Sequence, residues 1–215
     1  MKRDDLFRFE SPDQARSLQQ ELSRQVIHIE DSDFKPRLFC GIDVSYDDNV
    51  ANVAGVVWDS EQHEFVERVQ SRESVSVQYL PGMFGFREGR ITVGLFDKLT
   101  CKPDVFLIDG QGVAHPRRFG LACHFGLAVE KPTVGVAKSR LYGRIHRECI
   151  LDPEGDTVGR IITTDSGRRF YVSVGHRISL DAAVRVVETS IVGGHPAPLR
   201  QAHLDSINTK EKHSN

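Results

Sequence analysis

The sequence predicts one α/β domain with a mixed central sheet, antiparallel hairpin strands and helices on both faces. Three observations lead there. Residues 38–44, 50–58 and 65–75 are runs rich in β-branched and aromatic residues, with turn residues between them. From residue 91 onward, helical periodicity alternates with short apolar runs, the pattern of buried strands covered by helices. The chain of 215 residues also suits a single core, which at this size buries about 70% of the unfolded surface.

Element by element, Ser11-Pro12-Asp13-Gln14 reads as an N-cap, a Pro at N1 and a capping-box Gln. Ala15, Leu18, Leu22, Val26 and Ile29 then recur at helical spacing. Asp47-Asp48-Asn49 and Ser60-Glu61-Gln62 are hairpin connections that join the three strands into a meander. A loop over residues 78–86 precedes a helix marked by Ile91, Leu95 and Leu99, with Glu88 at its entrance. Residues 104–108 and 133–136 read as buried strands separated by a helix over 117–129. Strands near 158–163 and 170–174 and helices near 180–190 and 198–208 complete a domain over 1–208, with 209–215 a frayed polar tail.

Composition narrows the class. Hydrophobic residues make up 39% and charged residues 27%, which excludes disordered and collagen-like chains. No apolar run approaches the ~18 residues of a membrane helix, and no signal peptide is readable, so a cytoplasmic protein without membrane contact is expected. Cys40, Cys101, Cys123 and Cys149 are too scattered for a zinc motif and are expected to be buried thiols in a reducing compartment. The net charge of -2 hides an asymmetry. Residues 1–70 carry 8 basic and 15 acidic side chains, whereas residues 111–151 carry 7 basic and 2 acidic. The densest part, Lys138 to Arg147, has four cations and no acid and could track a phosphate backbone.

Three carboxylates occupy positions that packing alone explains poorly. Asp43 lies inside the first strand, Asp109 ends a short apolar strand before two glycines, and Glu88 sits on the helix between them. Adjacent strands could bring Asp43 and Asp109 together, with Glu88 added from above. Two carboxylates ~4 Å apart repel by about 4 kcal/mol at an effective dielectric near 20, so such a cluster calls for a cation. Hard oxygen donors favour Mg²⁺ or Mn²⁺, and metals so held suit attack of water on a phosphodiester. The glycines of Asp109-Gly-Gln-Gly-Val-Ala-His-Pro-Arg117 are expected to let backbone amides approach a ligand, with His115 and Arg117 available to a phosphate or a base.

Taken together, Asp43 in its strand, Tyr79-Leu80-Pro81-Gly82, Phe86-Arg87-Glu88, the Asp109–Arg117 motif, Gly135-Val-Ala-Lys-Ser-Arg-Leu-Tyr-Gly143, Gly175-His-Arg-Ile-Ser179 and Arg200-Gln-Ala-His203 closely resemble the endonuclease V family. The resemblance spans about residues 10–207. It implies an RNase H-like fold and a metal site of Asp43, Glu88, Asp109 and His203, the last preferred to His213 because only His203 lies in the Arg-x-Ala-His motif. It further implies a strand-separating wedge at Tyr79, Leu80, Pro81 and Gly82. The base pocket would involve Met83, Gly110, Gln111, Gly135 and Val136, and the phosphate contacts His115, Arg117, Lys138 and Ser139. The implied reaction is Mg²⁺-dependent hydrolysis of the second phosphodiester 3′ to a deaminated base, chiefly hypoxanthine in DNA, by a monomer, with Mn²⁺ able to substitute.

Three other readings compete. The same chemistry could serve inosine-containing RNA, which the 2′-hydroxyl beside the cut would decide. A non-catalytic lesion-binding protein would have no need of clustered acids. An actin-like kinase shares the opening Gly-Ile-Asp, but its phosphate turn requires a glycine where this chain has Ser45.

Overall fold

The computed structural model describes residues 3–29, 34–75, 80 and 82–211. A 3₁₀ turn at Arg3–Phe7 leads into α1 (Pro12–Ser23). The meander is β1 (Leu38–Asp47), β2 (Val50–Asp59) and β3 (Glu64–Ser74). Then follow α2 (Phe84–Phe96), β4 (Val105–Ile108), α3 (Leu121–Val129) and β5 (Thr133–Ala137). Strands β6 (Arg144–His146), β7 (Cys149–Leu151), β8 (Thr157–Thr163) and β9 (Arg169–His176) precede α4 (Leu180–Thr189). A two-residue ladder, β10 (Ile191–Val192) and β11 (His195–Pro196), introduces α5 (Ala197–Glu211).

The nine-stranded sheet runs β3-β2-β1-β4-β5-β9-β8-β7-β6. Among the described strands only β1–β4 and β4–β5 pair in parallel, so the sheet is mixed, with antiparallel ribbons at both ends. The parallel register pairs Ile42 with Ile108, and the Asp109 amide donates to the Ile42 carbonyl at 3.1 Å, extending the ladder one residue further. The carboxyl end of β4 therefore lies beside the middle of β1, which runs on to Asp47, and Asp43 and Asp109 come next to each other where β4 ends.

Alternation along the meander assigns its faces. Cys40 faces Leu95 of α2 across Gly55, whereas Ala54 and Val56 pack on Ala202 of α5. Gly41 makes the second arrangement possible, because a Cβ there would stand 2.4 Å from the Pro198 carbonyl carbon. Without a side chain, the start of α5 can lie directly on β1, which carries His203 and Ser206 to Asp43.

Several expectations are revised by tertiary packing. Helix α1 stops at Ser23 although Val26 and Ile29 continue its periodicity, because Ile27 pairs elsewhere. Its carbonyl accepts from the Arg177 amide at 2.7 Å, and its amide donates to His176 Nδ1 at 3.3 Å. Helix α2 begins at Phe84, inside the expected loop, so Glu88 sits in its second turn rather than at its entrance. Gly85, inside the expected loop, is helical, and at it and at Gly89 neighbours fill the space a Cβ would take. His124 lies 2.4 Å from that point at Gly85, and Phe7 lies 2.4 Å from it at Gly89. The basic run from Arg144 becomes β6, an exposed edge strand too short to show a two-residue period. Helix α5 continues to Glu211, past the expected boundary at 208. All four cysteines are free thiols, but only Cys40 and Cys123 are buried; Cys101 and Cys149 are partly exposed. Among the described residues, no helix is long and apolar enough to cross a membrane.

Gly41→Ala should lower stability by about 1–3 kcal/mol, the usual cost of overpacking. The measurement is the urea midpoint at constant slope; an unchanged midpoint would mean that α5 can shift freely off β1.

Candidate active site

Asp43 points from β1 toward α5 and is buried, at 5% exposure. Ser206 Oγ donates to its Oδ2 at 2.8 Å, and His203 Nδ1 lies 3.4 Å from the same oxygen. Asp109, one residue beyond β4, accepts from Lys138 Nζ at 2.5 Å. Glu88 reaches the same end of the sheet from α2, also at 5% exposure, and its Oε1 accepts from the Tyr46 hydroxyl at 3.0 Å. Tyr46 is itself capped by the Arg87 guanidinium, 4.4 Å from its ring centroid. The three residues of Phe86-Arg87-Glu88 therefore act differently. Phe86 anchors the helix in an apolar cluster, Arg87 covers Tyr46, and Glu88 enters the site.

The three carboxyl groups perturb one another. Burial, reinforced by the charges of Asp43 and Asp109 and opposed by the Tyr46 hydrogen bond, pushes Glu88 up to about 8. Burial and then the Asp43 carboxyl raise Asp109 to about 6, against the pull of Lys138. Such a trio favours either protons or a cation. Among the described residues, no three His, Cys, Asp or Glu side chains close into a finished metal cage, since each carboxylate is turned to its own partner. The donor set fits a hard divalent cation: carboxylate oxygens from three elements, one adjacent imidazole, and a lysine whose ammonium already lies on Asp109.

Two cavities flank the Asp109–Lys138 pair. The first, about 350 Å³, is lined by Gly82, Phe84, Gly110, Gln111 and Leu141 among others. The second, about 440 Å³, lies between β9, β11 and α5 and includes Arg168, Arg200 and His203 in its wall.

This geometry sorts the expected site residues. Asp43, Glu88, Asp109 and His203 converge, and Lys138 joins them. Gly82, Gly110, Gln111 and Ser139 line the smaller cavity, where the Gln111 amide donates to the Ser139 carbonyl at 2.8 Å and ties the two long motifs together. Met83 does not line it; it is buried against Ala15 and Phe86, with Leu80 packed on the same cluster. Val136 lines the larger cavity instead. Gly135 lies beneath the loop, where a Cβ would meet the Gly112 amide nitrogen at 2.3 Å. Gly112 likewise serves packing rather than ligand approach: its Cβ would stand 2.0 Å from the Val174 carbonyl oxygen, and its amide donates to Ser173. Tyr79 and Pro81 lie outside the described residues, as does His213.

His115 and Arg117 are both engaged with the Gly82 carbonyl. His115 is buried, accepts the Arg117 amide at Nδ1, and bonds the Gly82 carbonyl through Nε2 at 3.0 Å. Arg117 donates to the same carbonyl at 2.8 Å and to Gln19 at 2.6 Å. Burial, then the charge of Arg117, lowers His115 to about 4, so it remains neutral and fixed as the Nε2–H tautomer. Gly82, with φ of +74°, adopts a left-handed conformation suited to glycine, and a Cβ would press on Arg117 at 2.8 Å.

Sequence reasoning missed Tyr46, Ser206 and Phe84. Ser206 follows His203 by one helical turn, a signal that becomes readable once α5 is known to lie on β1.

Glu88 gives a pH test without metal. An unfolded Glu titrates near 4.5, whereas the folded group holds its proton up to about 8. Its stabilising contribution is therefore complete below 4.5 and is lost as pH rises through 8. Relative to Glu88→Gln, the chelator-treated native protein should lose on the order of 1 kcal/mol per pH unit across that window. Urea unfolding of both proteins between pH 4.5 and 8 measures this; a constant difference would remove the burial argument.

A family model described as Endonuclease V matches residues 20–204. The chain is 36% identical to an endonuclease V of Gloeobacter violaceus over 207 residues, covering 90% of this chain and 84% of the relative. The structure of human ENDOV superposes with a TM-score of 0.86 at 30% identity, covering 95% of this chain and all of that one. A Ciona intestinalis endonuclease V, in complex with DNA containing an inosine followed by a ribo-adenosine, gives a TM-score of 0.83 at 26% identity over 91% and 95% of the two chains. With the family model matching residues 20–204 and a relative 36% identical over most of its length, this chain belongs to the endonuclease V family.

Proposed function

We propose that the protein is a metal-dependent endodeoxyribonuclease that recognises a deaminated base, chiefly hypoxanthine, and hydrolyses the second phosphodiester bond on its 3′ side. The products are a 3′-hydroxyl and a 5′-phosphate. The observation that carries this reading is the convergence of Asp43, Asp109 and Glu88 beside a cavity of about 350 Å³, in a chain of a nuclease family. That volume suits one extruded base, and the inosine-containing DNA bound by the Ciona relative supports the choice of base.

Asp43, Asp109 and Glu88 would hold Mg²⁺ or Mn²⁺, with His203 as a fourth neighbour; when bound, the metal supplies an activated water and charge neutralisation at the leaving oxygen. The remaining steps belong to the chain. Lys138 exchanges its contact with Asp109 for a phosphate oxygen of the strand. Tyr46 and Ser206 keep Glu88 and Asp43 aimed at the reacting end of the sheet. His115 and Arg117 lock the Gly82 carbonyl, so the wedge of residues 79–82 enters the stack from a rigid base. Phe84 and Leu141 offer apolar surface to the extruded base in the smaller cavity, while Gly110 and Gln111 present polar groups to its edge.

A second reading, cleavage of inosine-containing RNA, draws on the ribo-adenosine that follows the inosine in the Ciona complex. The same fold and site would accept it if the 2′-hydroxyl is tolerated beside the cut.

Asp109→Asn should reduce cleavage of inosine-containing DNA by several orders of magnitude while leaving binding measurable, and chelation should do the same to the native protein. Turnover retained under either condition would defeat the metal assignment. Mapping the cut on inosine in DNA and in RNA decides between the two substrates. Lys138→Ala should flatten the salt dependence of DNA binding by about 0.9 in log–log slope, one phosphate contact on a duplex. Arg117→Ala should weaken binding with the slope unchanged, since its charge is spent on Gly82 and Gln19; a flattened slope would restore it to a phosphate.

A further inference from the structure

The larger cavity has a charge pattern that the cleavage site does not account for. Arg168 in the turn before β9, Arg169 at its start and Arg200 on α5 line it, and Lys138 stands at its border with the smaller cavity. All three arginines are exposed, and among the described residues none has an acidic partner. Elsewhere Arg3, Arg37, Arg118, Arg160 and Arg177 each pair with a carboxylate, whereas here three arginines without an acidic partner line one cavity. His195 reports the resulting field: burial lowers its affinity for a proton, and Arg168, Arg200 and Lys138 lower it further. Its ring lies 6.4 Å from that of Phe170, which is buried beneath the groove. Among the described residues, the only acid in the wall of this cavity is Asp109, at the boundary with the reacting end. An unneutralised cluster of this kind attracts a polyanion and releases counterions when it binds.

We propose that this groove is a second subsite, which holds the DNA strand on the 3′ side of the scissile phosphate. The inference rests on the nuclease reading above. If the extruded base occupies the smaller cavity and the phosphate to be cut lies at Asp109 and Lys138, chain polarity sends the following nucleotides into the larger cavity. Arg168, Arg169 and Arg200 then bind successive phosphates, and their guanidinium groups suit that recognition. The subsite sets where the strand lies across the carboxylates and retains the new 5′-phosphate end after the cut.

The test is fluorescence anisotropy on single-stranded oligonucleotides carrying one inosine, in the presence of chelator so that no cleavage occurs. One oligonucleotide ends just past the cut, a second is extended by about six nucleotides on its 3′ side, and a third is extended equally on its 5′ side. In the native protein, 3′ extension should tighten binding on the order of tenfold and steepen the log–log salt slope by roughly 2, three phosphate contacts at about 0.7 each. The variant R168A/R169A/R200A should bind the short oligonucleotide as the native protein does, which also shows that it is folded, and should lose the gain from 3′ extension. Equal weakening on short and extended strands, or a gain that comes from the 5′ extension instead, would overturn the subsite. Failure of the parent reading shows separately, as no preference for inosine over adenine on the short oligonucleotide.

Discussion

The structure depends on holding three mutually repelling carboxylates together at one end of its sheet. Asp43 and Asp109 follow paired residues of adjacent parallel strands, so their proximity is a consequence of backbone register rather than of side-chain choice. At ~4 Å, a pair of such charges opposes folding by about 4 kcal/mol at an effective dielectric near 20. The surrounding residues answer this locally: Ser206 bonds Asp43, Lys138 bonds Asp109, and Tyr46 bonds Glu88. These partners come from α5, from the loop after β5 and from β1 itself. The site is thus the place where most layers of the fold must meet correctly.

That requirement explains where glycines are used. Gly41 lets α5 lie on β1, and Gly112 and Gly135 let the Asp109 loop cross β5 and β9 at backbone contact distance. Gly82 differs, because its left-handed conformation turns its carbonyl to His115 and Arg117. A histidine and an arginine in a glycine-rich motif, residues that suggest phosphate chemistry by type, here bond the Gly82 carbonyl. Positive charge without an acidic partner lies instead along the arginines of the larger cavity, beside Lys138, which is held on Asp109.

Much of the fold was readable from the chain. The meander, the short buried strands and the late helices follow from two-residue and 3.6-residue periodicity, and the cap at Ser11 follows from local chemistry; its hydroxyl accepts the Gln14 amide at 3.2 Å. What escaped had no local signal. Helix α2 starts early, with Gly85 packed directly against His124, α1 ends early because Ile27 is claimed at the end of β9, and β6 and β7 are three residues each. In the site, acids inside apolar strands announced themselves, because burying a charge without purpose is costly. Ser206, Tyr46 and Phe84 are ordinary residues in ordinary elements, and nothing in their neighbourhood along the chain marks them.

The sequence by itself determined the family, the fold class and the identity of the acids, since motif order and periodicity are properties of the chain alone. Only the tertiary structure decided how the remaining polar residues are employed. Whether His115 faces a phosphate or a carbonyl, whether Gly135 borders a pocket or supports a loop, and which arginines remain unpaired all depend on contacts between residues distant in the chain. The charge total of -2 illustrates the same division. Counting shows that the chain is nearly neutral, but the potential at a surface is set by which charges find partners, and pairing is a matter of three-dimensional distance.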